Sequence, residues 1–100
     1  MSRDEREYAT LSRQELRAEL DRISKSLAAW HVALGSAKIE HSQVFLEAYS
    51  QSTGKSVTER RMEAEYAAGM EQRQIYEAQA QVDFCTTTRD MIVVLLERDA

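Results

Sequence analysis

The sequence predicts an all-α fold: an antiparallel two-helix hairpin, coiled-coil-like, that self-associates into a helical bundle. Three observations carry this expectation. First, Leu16, Leu20, Ile23, Leu27, Trp30, Leu34, Ala37, His41, Val44 and Ala48 follow one another at spacings of 4, 3, 4, 3, 4, 3, 4, 3 and 4. That is the a/d pattern of a packed helical seam, and a strand, whose side chains alternate with period two, cannot use it. Second, the 100 residues contain no proline, the residue that most strongly breaks helices. Third, one polar cluster with a glycine, Ser50 to Ser56, lies midway along the chain. A turn there divides the sequence into two long helices.

Length and composition bound the rest. One hundred residues make a single domain, 1–100. With 43% hydrophobic and 30% charged residues, the chain is neither disordered nor membrane-spanning. The apolar run Met91 to Leu96 is far too short to cross a bilayer. Seventeen acidic against 13 basic residues give a net charge of −4, which argues against broad, charge-driven nucleic-acid binding. Cys85 is the sole cysteine, so no intrachain disulfide can form and a cytoplasmic location is expected. The N-terminus lacks the apolar core of a signal peptide.

Taken in order, residues 1–11 hold a charged run from Arg3 to Glu7 without apolar periodicity and are expected to fray. Ser12-Arg-Gln-Glu15 is a capping box, with Leu11 and Leu16 placed for a hydrophobic staple. The first helix is therefore expected over about 13–51. A turn follows at about 52–56, where Gly54 suits the left-handed residue that closes a helix. Ser56-Val-Thr-Glu59 is a second capping box and opens a second helix over about 57–97. Each helix would be roughly 60 Å long. Gly35 and Gly69 each cost about 1 kcal/mol in a helix interior. The heptad phase crosses Gly35 unshifted, so both helices are expected to be continuous. A turn centred near Gly54 would set Lys38 opposite Glu71, Lys25 opposite Asp83, His31 opposite Glu77 and Trp30 over Ala78.

Both helices carry more apolar surface than one partner can cover. In the first, Ala28, Val32, Gly35, Ile39, Ser42, Leu46 and Tyr49 form a second line at spacings of 4, 3, 4, 3, 4 and 3, opposite the main seam. In the second, one line runs through Ala64, Ala68, Ile75, Ala78, Val82, Cys85, Ile92 and Leu96, interrupted by Glu71 and Arg89. Another runs through Met62, Tyr66, Met70, Arg73, Tyr76, Ala80, Phe84, Thr88, Met91 and Leu95. Large contiguous apolar patches are rare on monomers. A two-fold dimer of hairpins, forming a four-helix bundle, covers them with the fewest subunits. Val32, Gly35, Ile39, Leu46 and Tyr49 are the expected self-association residues, with Gly35 allowing close approach.

Chemical sites are sparse. Ser52-Thr-Gly54-Lys55-Ser56 has the end of a phosphate-binding loop, but Tyr49 stands where that loop needs its first glycine, and a helix rather than a strand precedes it. His31 and His41 lack the Glu-x-x-His pairing of a di-iron bundle, since Ala28 and Lys38 sit three residues before them. His41 instead reads as a core polar group that fixes register. Cys85, among apolar neighbours, is expected to be inert. No enzyme activity, cofactor or metal is expected. Lys55, Arg60 and Arg61 make a small basic tip beside Glu59, a possible nucleic-acid contact. Glu63, Glu65, Glu71, Glu77 and Asp83, opposed by Arg73, form an acidic flank.

The segment Gly54-Lys-Ser-Val-Thr-Glu-Arg-Arg-Met-Glu-Ala-Glu65, following a long alanine-rich helix, resembles small helical-hairpin proteins encoded in the early regions of tailed bacteriophages, often near replication or recombination genes. The resemblance covers most of the first helix and the start of the second. It implies a non-enzymatic accessory or host-modulating role and carries over no functional residue. Secreted helical hairpins with a Trp-x-Gly turn do not fit, because Trp30 is mid-helix. The expected function is thus that of a small helical homo-oligomer, a dimer, that also binds a protein partner and no membrane. The alternative is a nucleic-acid-associated replication or recombination accessory protein using the basic tip.

Overall fold

The computed structural model describes residues 5–98, Glu5 through its backbone alone. Among the described residues there are four helices: α1 (Glu5–Ala9), α2 (Arg13–Gln51), α3 (Val57–Ala67) and α4 (Gly69–Arg98). No strand is found among the described residues, so the chain is all-α as its periodicity requires. The capping box at Ser12 forms in full. Ser12 Oγ accepts from the Glu15 N–H at 3.1 Å, and the Ser12 N–H donates to Glu15 Oε1 at 3.2 Å. Two N–H groups at the helix start are satisfied reciprocally, and α2 begins at Arg13.

Three local expectations need correction. Residues 5–9, expected to fray, form α1, and Tyr8 is only 1% exposed. A single large aromatic seated in a core holds this short helix where its own sequence has no periodicity to do so. The second long helix, expected to be continuous over about 57–97, is divided at Ala68, which takes φ −93° and ψ 14°. The Ala68 N–H still bonds the Ala64 carbonyl, and the Gln72 N–H the Ala68 carbonyl. The interruption is therefore one residue of altered backbone with the ladder carried across it. Gly54 does not adopt the left-handed conformation, since no described glycine has positive φ. It is buried instead, and a Cβ there would lie 3.0 Å from Glu59 Cβ and 3.1 Å from the Arg60 nitrogen. Glycine is required for close approach, not for handedness.

The helices distribute into two compact units, residues up to Trp30 with those from Gln81 onward, and His31–Ala80. In the first unit the core is Tyr8, Leu16, Ile23, Leu27, Val82, Cys85 and Ile92, with Thr88 buried among them. Arg13 Nη1 donates to the Leu96 carbonyl at 3.0 Å, satisfying an acceptor near the end of α4 that lacks a helical partner. In the second unit the buried apolar residues are Leu34, Ala37, Ala64, Ala68 and Ala78. The 4-3 line of α2 faces inward in both. Leu16, Ile23, Leu27, Leu34 and Ala37 are buried, and Leu20, His41, Val44 and Ala48 half-buried. Trp30 departs from the line and is partly exposed.

Candidate functional site

The second unit bears two apolar faces on its outside. On α2, Val32 is 70%, Ile39 62% and Leu46 65% exposed, one helical face by their spacing of seven. Gly35 lies on the same face, and a Cβ there would meet nothing within 4 Å. Tyr49, the fifth residue of the expected set, is half-buried and turns to Phe45. Phe45 and Tyr49 stack with ring centroids 6.3 Å apart, and His41 stacks on Phe45 at 6.1 Å. This three-ring ladder at spacings of four was not assembled from the sequence, where His41 belonged to the seam, Tyr49 to the opposite line and Phe45 to neither. The i, i+4 recurrence of rings was the signal that could have found it.

The second face spans α3 and the start of α4. Met62, Tyr66, Met70 and Tyr76 are all exposed, Tyr66 at 91%. Carboxylates of Glu63, Glu65 and Glu77 lie at exposed positions along the same stretch, with Arg73 the exposed cation between them. A cavity of about 330 Å³ is lined by His41, Phe45, Glu65, Gln72 and Tyr76. Lys38 is exposed, whereas Glu71 Oε2 is buried without a hydrogen-bond partner. The pairing expected between these two residues is not made.

At the tip, Lys55, Arg60 and Arg61 are exposed, but the segment is tied to itself. Ser56 Oγ accepts from the Glu59 N–H at 3.1 Å. Glu59 Oε2 reaches one residue beyond the capping-box position and accepts from the Lys55 N–H at 2.7 Å. Arg60 Nε donates to the Gly54 carbonyl at 3.1 Å, and the Ser52 hydroxyl donates to the Glu63 carboxylate. The three cations therefore stand among Glu59 and Glu63, and Arg60 is committed to the loop.

In the first unit a cavity of about 230 Å³ is bounded by Tyr8, Arg22, Ile23, Trp30, Phe84 and Cys85, among others. Arg22 pairs with Glu19 at 2.9 Å, and this hydrogen bond raises the guanidinium pKa above its ordinary value. Lys25, expected opposite Asp83, pairs with Asp21 within its own helix at 2.9 Å. Among the described residues no group of three or more His, Cys, Asp or Glu side chains is arranged to hold a metal ion. No helix among them is long and apolar enough to cross a membrane. The chain matches no protein-family model, no curated protein and no solved structure.

Proposed function

We propose that this chain is a non-enzymatic interaction protein: an antiparallel helical hairpin that pairs with a second copy through the outer face of α2. The observation that carries the pairing is the exposure of Val32, Ile39 and Leu46 on one line with open space at Gly35. Burying large aliphatic side chains of this kind stabilises an assembly by roughly 1.5–3 kcal/mol each. An unsubstituted glycine between them lets a second helix approach closely. The hairpin has support of its own in the first unit, where Arg13 bonds Leu96, one residue from the Leu95 that a turn centred on Gly54 sets opposite. An accessory or host-modulating role of phage type, with a protein partner in the cytoplasm, rests on the likeness of Gly54 to Glu65 to such proteins.

Light scattering after size-exclusion chromatography tests the pairing. The wild type is expected to run as a dimer at micromolar concentration. Ile39→Glu should split it, while Lys38→Glu, one position away, should leave it intact. An 11.5 kDa species for the wild type overturns the proposal. The nucleic-acid alternative draws on the exposure of Lys55 and Arg61, but Glu59 and Glu63 offset the tip's charge, which weighs against phosphate binding.

A further inference from the structure

We propose that the first unit holds a binding site for a small, flat aromatic carboxylate, in the cavity of about 230 Å³ bordered by α1, α2 and α4. The inner wall of this cavity is the core itself, where Tyr8, Ile23 and Cys85 are 1%, 3% and 4% exposed. Its outer wall is made of two rings that reach water, Trp30 at 36% and Phe84 at 45% exposed. Of the three large apolar side chains this unit exposes, Trp30, Phe84 and Val94, two thus border one cavity. Tyr8, Trp30 and Phe84 make no ring contact with one another, since the ring contacts among the described residues are those from His41 to Tyr49. The space between the three rings is the cavity. Aromatic rings attract one another in offset or edge-to-face arrangements, so a flat guest ring gains contacts here that a puckered aliphatic one does not. An apolar cavity of about 150 Å³ takes up benzene, which leaves this one room for a ring with a short substituent.

Arg22 selects the polar end of the guest. It is the one charged side chain that lines the cavity. Its forked guanidinium carries more N–H donors than the bonds to Glu19 and Tyr8 use, and the fork matches the two oxygens of a carboxylate. Glu19 offsets part of the charge but does not itself line the cavity, so a guest meets the cation. Ser26 and Gln81 line the same space, and neither side chain makes a hydrogen bond among the described residues. Both can donate to an oxygen that Arg22 leaves uncovered. A cationic guest would instead stand against Arg22 with no carboxylate in the lining to balance it. An apolar, aromatic wall with a few converging polar groups is the make-up of a small-molecule site. Every lining residue belongs to the first unit, so the site does not rest on pairing through the second.

The test titrates 4-methylbenzoate into the full chain and follows the emission of Trp30, the sole tryptophan. A saturable change is expected, with a dissociation constant of about a millimolar or tighter, as suits so small a guest. Cyclohexanecarboxylate keeps the charge without the flat ring, and 4-methylbenzylamine keeps the ring with the opposite charge. Each should bind about tenfold more weakly or worse. Phe84→Ala and Arg22→Gln should each weaken 4-methylbenzoate by about tenfold, and Arg22→Gln should also remove its advantage over the amine. Lys25→Gln, an exposed cation of the same helix outside the cavity, should bind as the wild type does. Arg22 is exposed, so circular dichroism of Arg22→Gln should match the wild type. Amide shifts in nuclear magnetic resonance spectra should gather around Ile23 and Phe84 and leave residues 31–80 in place. Absence of a saturable Trp30 response overturns the proposal. So does equal binding of cyclohexanecarboxylate, undiminished binding by Arg22→Gln, or a set of amide shifts centred in the second unit.

Discussion

The two units of this molecule fill their buried positions differently, although the first also exposes Trp30, Phe84 and Val94. In the first, large side chains go inward: Tyr8, Leu16 and Ile92 are essentially fully buried, with Ile23, Leu27 and Val82 around them. In the second, the fully buried positions hold Leu34 and four alanines, Ala37, Ala64, Ala68 and Ala78, with Val44, Phe45 and Ile75 half-buried, while Val32, Ile39, Leu46, Tyr66 and Tyr76 are exposed. The difference begins with α1, which adds a third element to the first unit and seats Tyr8 in its core. A core of alanines contributes little transfer free energy per residue, so the second unit gains less from burial than the first. One part of the chain buries its large side chains, and the other leaves more of them in water.

The sharpest way to break this contrast is to truncate one large side chain in each unit. Leu16→Ala should lower stability by about 2–5 kcal/mol, through lost burial and the cavity left behind. Tyr66→Ala should change it by no more than about 0.5 kcal/mol. Urea denaturation followed by circular dichroism measures both, and comparable losses at the two sites would end the distinction. A smaller effect sharpens it. Ser12 sits in a full reciprocal capping box, whereas at Ser56 the glutamate has swung to the Lys55 N–H. Ser12→Ala should cost about 1–2 kcal/mol and Ser56→Ala about 0.5–1 kcal/mol, read from the same denaturation curves. The smallest effect concerns the division between α3 and α4. A Cβ at Gly69 meets nothing within 4 Å, so Gly69→Ala should raise the midpoint, by at most about 1 kcal/mol of stability. A lower midpoint would mean that the altered backbone at Ala68 depends on that glycine.

Much of the inward face was legible because periodicity is a property of the helix itself. The 4-3 line of α2 and the line from Ala64 to Leu96 both came out buried or half-buried at most of their positions. The start of α2 at Arg13 and of α3 at Val57 could be read from serine and glutamate three residues apart. What could not be read depends on contacts remote in sequence or on single backbone angles. Tyr8 is one apolar residue in a charged run, and nothing near it reveals that a core waits for it. The division at Ala68 leaves the apolar phase of Ala64, Ala68 and Ile75 without an obvious slip, so the pattern does not register it. Gly54 suits a left-handed turn residue in sequence, whereas the fold uses it for close approach, because a turn glycine and a closely approached glycine look alike in sequence. The exposed faces were foreseen as lines of residues, yet the ring ladder from His41 to Tyr49 drew Tyr49 partly away from its line.

The continuity of α2 has a consequence for how order spreads through the chain. This helix runs unbroken from Arg13 to Gln51, so its residues serve both cores. Starting a helix is the costly step, with a statistical weight on the order of 10⁻³, while each added residue extends it at nearly no cost. Once the large side chains of the first unit have locked residues 13–30, the stretch from His31 to Gln51 grows from an existing end and pays no second nucleation. The alanine core of the second unit therefore need not be strong enough to begin its own helix. It has only to hold one that arrives already wound, which frees its large side chains to face outward.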